Sequence, residues 1–332
     1  MSDKRKKFAI ISLGFLGDTL LVEPLCQNIK NSFPDSKIVF IVSENFADVP
    51  LGFEAVDKVY SYDKRGLNGG ILGYLNFCKN FDEEKIDYAI ITHPHERSIL
   101  LAKMIGAKKI VSLPSGNALV DFLITDKRKY IESDIRSTFK PDYNNGYLKN
   151  ICRFQCLPVN YNLKNVDEKS ILNKFLLPEQ YIVLSPTSKD LIKDWTYTNI
   201  KQFILGARMP VVLIGTGKAK EFAMQLQSEN IELIDLSMRT TLIELSIIIK
   251  NSTCCVSVDT GTFHLAYAQK VNTIGIFYRE KMVTEWAPVH LDYVKVLVGE
   301  RQGEKDDFST VKDVGADEVL AQLAQFDSKL HI

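Results

Sequence analysis

"KFAIISLGFLGDTLLVEP", residues 7–24, passes from an apolar, β-branched segment through a glycine turn into a helical pattern. Its apolar part, 8–13, does not alternate with polar residues, as suits a strand buried on both faces of a parallel sheet. Gly14 and Gly17 allow a tight strand-to-helix turn where a nucleotide-binding loop would stand, but the G-x-G-x-x-G spacing is missing and Asp18 occupies the place of a phosphate. A carboxylate there repels an anion. Two readings stay open: Asp18 caps the next helix, whose dipole and free amides favour its ionised form, or it is a general base displayed on a glycine turn.

The same rhythm continues outward. "FAIISL" (8–13), "KIVFIV" (37–42), "KVYSY" (58–62), "YAIIT" (88–92) and "KKIVSL" (108–113) are separated by amphipathic stretches, the βαβ alternation of a parallel sheet. Between 114 and 165 the alternation fades, which reads as mobile loops around a helix-like piece and then a linker. It restarts with "YIVLSP" (181–186), "PVVLIG" (210–215), "IELIDL" (231–236), "CCVSV" (254–258), "NTIGIF" (272–277) and "VKVLV" (294–298). An α/β chain of two Rossmann-like domains, 1–163 and 164–332, is therefore expected, facing each other across a cleft lined by strand carboxyl ends. The last helical pattern, 315–326, packs on one domain or bridges both.

Composition narrows the function classes. The 41 basic and 41 acidic side chains cancel, which removes a general electrostatic case for nucleic acid. The basic-then-apolar start imitates a signal peptide, but Asp18 interrupts it and no small-residue cleavage site follows, so it reads as mature protein. No stretch approaches the roughly 18 apolar residues of a membrane span, so a soluble or surface-bound chain is expected. Cys26, Cys78, Cys152, Cys156, Cys254 and Cys255 are scattered as reduced cytoplasmic thiols would be. Cys152 and Cys156 lack a second pair or a nearby histidine, so no metal site is expected. His93 and His95, in "HPH" at a strand end, read as surface or substrate contacts.

Two stretches of the second half suit an anion. In "VSVDTGTFHLAYAQ" (256–269), Asp259 can accept hydrogen bonds from a ribose diol, and Thr260, Gly261 and the next amides open a helix. His264, one turn in, either donates to the same phosphates or is a satisfied core histidine. In "LSPTSKDLIKDW" (184–195), Thr187 and Ser188 offer hydroxyls and Lys193 a point charge on the same side of the sheet.

"SLGFLGDTLLVEPL" resembles the S-L-G-D-x-x-L-x-x-P opening of the family-nine glycosyltransferases, the bacterial ADP-heptose heptosyltransferases. "VSVDTGTFHLAYA" is similar to that family's D-T-G-x-x-H-L-A-x-A signature, and "KDWTYTNIKQF" to its K-x-W segment. "IDYAIITHPHERSILLAKMIGAKKIVSL" resembles its N-domain run ending in G-A-K, so the likeness covers nearly the full length. It implies a GT-B fold and transfer of a heptose or related sugar, with inversion, from a nucleotide-diphosphate donor, ADP-heptose in that family, to a lipopolysaccharide-core or similar glycan. It further implies Asp18 as catalytic base, Asp259 on the ribose, Thr260, Gly261 and His264 on the diphosphate, and Lys193 neutralising the leaving group beside Thr187 and Ser188. Gly14, Gly17, His93 and Arg97 would lie on the acceptor side. No cofactor is expected, because a lysine and a helix N-terminus stabilise a leaving diphosphate without a bound metal.

The sequence departs from the family pattern at Met238, where glycine is common, at the shifted Glu221 of "IGTGKAKE", and at Thr196, where proline is frequent. The first two border the expected nucleoside pocket, leaving a base other than adenine open. Between Arg97 and Lys140, nine basic residues (Arg97, Lys103, Lys108, Lys109, Lys127, Arg128, Lys129, Arg136, Lys140) outnumber four acidic ones (Asp121, Asp126, Glu132, Asp134). With "KRKK" (4–7) they suit either phosphates of a lipid-linked acceptor at a peripheral inner-membrane site or a merely solvated face. Rival readings are a two-domain sugar-nucleotide epimerase or hydrolase, which needs further acid–base residues near the donor sugar, and a catalytically silent nucleotide-binding protein.

Overall fold

The apolar runs of the first half form β1 (Lys7–Ser12), β2 (Lys37–Ser43), β3 (Lys58–Tyr62), β4 (Tyr88–Ile91) and β5 (Lys109–Ser112). They are seen in a computed structural model that describes residues 5–81, 84–128, 138–301 and 311–327. A sixth strand, β6 (Asp126–Lys127), is too short to leave a periodic signal in the sequence. All pairings are parallel, in the order β3-β2-β1-β4-β5-β6. The helices of this half are α1 (Leu16–Leu20), α2 (Glu23–Ser32), α3 (Gly70–Lys79), α4 (Glu96–Met104), α5 (Ala118–Asp121) and α6 (Lys140–Asn145). Phe77 and Cys78 of α3, Ile99 and Leu101 of α4 and Val120 of α5 pack in one cluster with Ala9, Ile11, Ala89 and Ile91, so these three helices cover the same face of the sheet.

The second half repeats the plan. Its strands are β7 (Ile182–Ser185), β8 (Val211–Leu213), β9 (Ile234–Asp235), β10 (Cys254–Val258), β11 (Thr273–Phe277) and β12 (Val294–Val298), parallel in the order β12-β11-β10-β7-β8-β9. Its helices are α7 (Glu168–Lys174), α8 (Tyr197–Gly206), α9 (Gly217–Ser228), α10 (Leu242–Lys250), α11 (Gly261–Ala268), α12 (Glu280–Trp286) and α13 (Ala316–Asp327). In both halves the first strand is central, the chain winds out to one edge and then returns to the other side. The order therefore reverses between β1 and β4 in one sheet and between β7 and β10 in the other, which is where α/β sheets open a crevice.

The chain separates into two compact units, residues 1–164 and 165–332. The final helix, α13, packs into the core of its own unit. Val319, Leu323 and Phe326 enter the core beside Ile200 and Phe203 of α8, and Trp195 Nε1 donates to Val314 O at 2.8 Å. Thr196, in the place of the frequent proline, caps α8 by accepting from Asn199 N at 3.4 Å. All six cysteines are free thiols, four of them buried, with Cys152 partly covered and Cys156 exposed.

The expected linker is a correction. Residues 153–162 lack regular structure but are strapped to the first unit. Asn28 Nδ2 donates to Gln155 O at 3.0 Å and Asn28 Oδ1 accepts from Gln155 N at 2.9 Å. Further along, Asn162 N reaches Gly52 O at 3.1 Å, and Tyr161 is buried with its ring edge-on to Phe53. Here backbone groups are satisfied by side-chain amides on α2 rather than by a ladder, so no period announces the segment.

The strap also covers Glu23, the first residue of α2, which is 1% exposed. Glu23 Oε2 accepts from Asn160 N at 2.9 Å and Oε1 from Gln27 Nε2 at 2.5 Å. Burial outweighs both bonds and pushes its carboxyl up to about 7. A group whose pKa is higher folded than unfolded adds stability that is full below the unfolded value and is lost as pH rises through the folded one. Glu23→Gln, with the Gln27 amide turned to accept, keeps the packing and removes the titration. Urea denaturation at pH 5 and pH 8 should show the variant gaining about 2 to 3 kcal/mol on the wild type across that interval. Parallel stability curves would show that Glu23 does not titrate there.

Candidate functional site

The polar residues of the first unit converge on its strand-order reversal. Asp18 is the third residue of α1, directly beyond β1, and its Oδ2 accepts from Phe15 N at 3.2 Å. It does cap the helix, yet its side chain stays partly exposed. Glycine is required at 14, because a Cβ there would lie 2.9 Å from Asp18 Cβ and 3.1 Å from its Oδ2. Gly17 precedes Asp18 within α1.

His93 lies just beyond β4, half-buried, with its ring 4.7 Å from that of His95. Burial lowers the His93 pKa, the negative charge of Asp18 opposes that, and His95 and Lys140 reinforce it. The result is a neutral imidazole within electrostatic reach of the carboxylate. Arg97 goes elsewhere: its guanidinium lies 5.5 Å from the rings of both Tyr62 and Tyr74, a cation–π arrangement beneath α3 and α4.

The basic excess of 97–140 is less available than its charge count implies. Lys108 pairs with Asp87 at 2.7 Å, Arg128 donates to Tyr147 O at 2.6 Å, and Lys109 and Lys140 lie over the rings of Tyr88 and Tyr143. Lys103 and Lys127 are exposed. Lys129, Arg136, Glu132 and Asp134, and Lys4 of the basic start, fall outside the described residues.

The second unit does the same at its own reversal. Lys193, at the end of a short turn after β7, places Nζ 2.6 Å from Oδ2 of Asp259, which follows β10 and is 7% exposed. These two residues line a cavity of about 110 Å³ with Asp190, Ile192, Tyr278, Arg279 and Met282. Thr260 is the N-cap residue of α11 but makes no capping bond; its Oγ1 lies 3.3 Å from Ser257 Oγ. The first-turn amides of α11, Gly261 among them, are thus left to a ligand or water.

Thr187 is buried, and its Oγ1 has no hydrogen-bond partner among the described residues. Ser188 is held in a local turn: its N donates to Asp194 Oδ1 at 2.6 Å and its Oγ to Asp190 O at 2.7 Å. Asp194 also receives Lys218 Nζ, from the first turn of α9, at 2.7 Å. His264 is in the core, 2% exposed, with Nδ1 3.3 Å from Tyr267 Oη and its ring packed on Phe263 and Trp286. Of the two readings left open for it, the packed one describes its position.

Sequence reasoning missed Tyr278 and Arg279. They stand directly after β11, at the carboxyl edge that holds the other site residues, and that position was the available signal. The departures from the family pattern also find places. Met238, exposed, has φ +57°, the left-handed region that explains why glycine is common there. Its N donates to Gly215 O at 2.9 Å, joining the loop after β9 to the loop after β8. Glu221 lies on α9, in the turn following Lys218. Among the described residues no group of three or more His, Cys, Asp or Glu is placed to hold a metal ion.

Comparison with known proteins bears on the family and the fold. The family model for glycosyltransferase family 9 (heptosyltransferase) matches residues 75–313. The structure is similar to that of a glycosyl transferase family 9 protein from Veillonella parvula, with a TM-score of 0.84, 17% identity and 99% of each chain covered. It is similar to the E. coli ADP-heptose lps heptosyltransferase II, with a TM-score of 0.80, 15% identity, and 98% of this chain and 100% of that one covered. It also resembles E. coli heptosyltransferase WaaC solved with ADP-2-deoxy-2-fluoro heptose, at a TM-score of 0.69, 17% identity, and 98% and 99% coverage. No curated protein matches the sequence. At these identities the likeness establishes the fold, the two-unit GT-B architecture.

Removing the buried imidazole leaves a cavity among three aromatic rings, so His264→Ala should lower unfolding free energy by about 2 to 4 kcal/mol in urea titration. A loss near zero would place His264 outside the core.

Proposed function

We propose a metal-free, inverting sugar transfer for this chain, which belongs to glycosyltransferase family 9. The donor in this reading is a nucleotide-diphosphate sugar, ADP-heptose by analogy with the ligand of the E. coli neighbour. The acceptor is a hydroxyl of a lipopolysaccharide-core or similar lipid-linked glycan at the cytoplasmic face of an inner membrane. One observation carries the reading: each unit gathers its polar groups at its own strand-order reversal, a partly exposed carboxylate in the first and a cation with uncapped helix amides in the second.

In the reaction, Asp18 takes the proton of the acceptor hydroxyl, whose oxygen bonds to the anomeric carbon as the bond from that carbon to the phosphate oxygen breaks. A neutral His93 suits this, since a cation there would lower the basicity of the carboxylate. Charge then builds on the departing diphosphate. Thr260 at the N-cap of α11, the first-turn amides from Gly261 onward, and Lys193 are the groups fitted to receive it, and Arg279 adds a second cation at the same cavity. Thr187, whose hydroxyl has no partner among the described residues, supplies a further donor, with Ser188 beside it. Asp259 takes the ribose diol, and His264 supports α11 from beneath rather than touching the ligand.

Asp18→Asn keeps the Phe15 capping bond and removes the base. Turnover should fall about 10²- to 10⁴-fold, while the thermal shift produced by the nucleoside diphosphate stays at its wild-type size. An Asn variant of full activity would defeat the assignment. The same thermal-shift assay across nucleoside diphosphates identifies the base, because only a ligand bound to the folded state raises the melting temperature.

A further inference from the structure

The outward side of α3 is apolar. Ile71, Leu72 and Leu75 point to solvent, the first two 79% and 78% exposed, while Phe77 and Cys78 fill the core from the other side. Leu67, at the tip of the preceding loop, is 87% exposed. A surface helix ordinarily turns a polar face outward, and contiguous exposed apolar side chains mark a contact surface. The loop is built to present its leucine. Asp63 accepts hydrogen bonds from Arg65 N, Gly66 N and Leu67 N at 3.1, 2.7 and 2.8 Å, and Asn68 Oδ1 accepts from Asp63 N at 2.8 Å.

The patch continues along the same side of the sheet. Tyr74 of α3 reaches Arg97 O of α4 at 3.5 Å, and beyond α4 two further large apolar side chains, Leu119 and Phe122 on and beside α5, are 86% and 87% exposed. Charge decides what covers it. Between Asp63, whose carboxylate is taken up by its own loop's amides, and the acidic run Asp82, Glu83 and Glu84, the chain from Lys64 to Phe81 carries three basic residues, Lys64, Arg65 and Lys79, and no acidic one. All three are exposed, and Lys79 shares the outward face of α3. A second copy docking through the same patch would set cations against cations, whereas an anionic bilayer takes apolar side chains into its interface and basic ones at its phosphates.

We propose that the outer face of α3, with its preceding loop and the adjoining face of α4 and α5, seats the first unit on an anionic lipid bilayer. The inference deepens the lipid-linked-acceptor reading by naming the surface that meets the membrane, but it is read without any activity, so the two fail separately. The basic stretch around α3 also lies apart from the 97–140 excess, much of which is committed to internal partners.

The test is sedimentation of the full chain with vesicles of phosphatidylglycerol and phosphatidylcholine at low salt, beside vesicles of phosphatidylcholine alone. The anionic vesicles should retain the protein and the neutral ones should not. Ile71→Ser with Leu72→Ser, and separately Lys64→Gln, Arg65→Gln and Lys79→Gln together, should each weaken retention at least tenfold with unchanged melting temperature, as expected for exposed positions. Failure of the wild type to bind anionic vesicles, or retention of the serine variant at wild-type strength, overturns the proposal. So does a dimer of the free protein, seen by analytical ultracentrifugation, that the serine substitutions abolish.

Discussion

Both units depend on one constraint: a parallel sheet covered by helices on both faces has no room for unpaired polar groups except at the ends of its strands. β1, β7 and β10 are apolar and buried over nearly their entire length. Everything that can bind or react is therefore carried by the turns that leave those strands. Where strand order reverses, two such turns diverge and leave a gap. Asp18 and His93 share that position in the first unit, and Lys193 and Asp259 share it in the second. The proposed sugar transfer needs a base and an anion sink, and a single winding plan used twice offers a candidate for each.

The turn that carries Asp18 is held from behind by a buried polar network. Asn144, on α6, donates to Leu21 O at the junction of α1 and α2, at 3.0 Å. Asn28 reaches both Asn145 Oδ1, at 3.1 Å, and the strapped segment at Gln155. Side-chain amides buried this fully hold their place only when bonded, so the network fixes direction as well as distance. A hydrophobic contact at the same place would tolerate sliding of α1 along the sheet. This segment, which the sequence presents as a featureless connection, thus braces α2, the helix that follows the one bearing the proposed base.

What the sequence discloses follows from which forces leave a period. Most of the ten longer strands are visible because burial on both faces demands an unbroken apolar run, and the two glycine turns because only small residues permit them. Gly14, Asp18 and the D-T-G turn are legible for that reason. The strap at 153–162 is not, since its partners are single side chains far away in the chain. Arg279 is visible only once β11 is known to end at Phe277. His264 shows the opposite limit. A histidine one turn into a helix looks the same in sequence whether it faces a ligand or, as here, three aromatic rings. The basic excess of 97–140 misleads in a related way, because a charge count cannot reveal that Lys108 and Arg128 already have partners.

The pairing of Lys193 with Asp259 has a consequence for selectivity. Because the two charges already satisfy each other, an anion alone gains little by approaching the lysine: it would strand a nearly buried carboxylate. A lone diol faces the mirror-image penalty. Only a visitor bearing hydroxyls and negative charge a few ångströms apart lets both partners exchange without loss. In the proposed reading, this ion pair favours a ligand that joins hydroxyls and negative charge over free phosphate or free sugar.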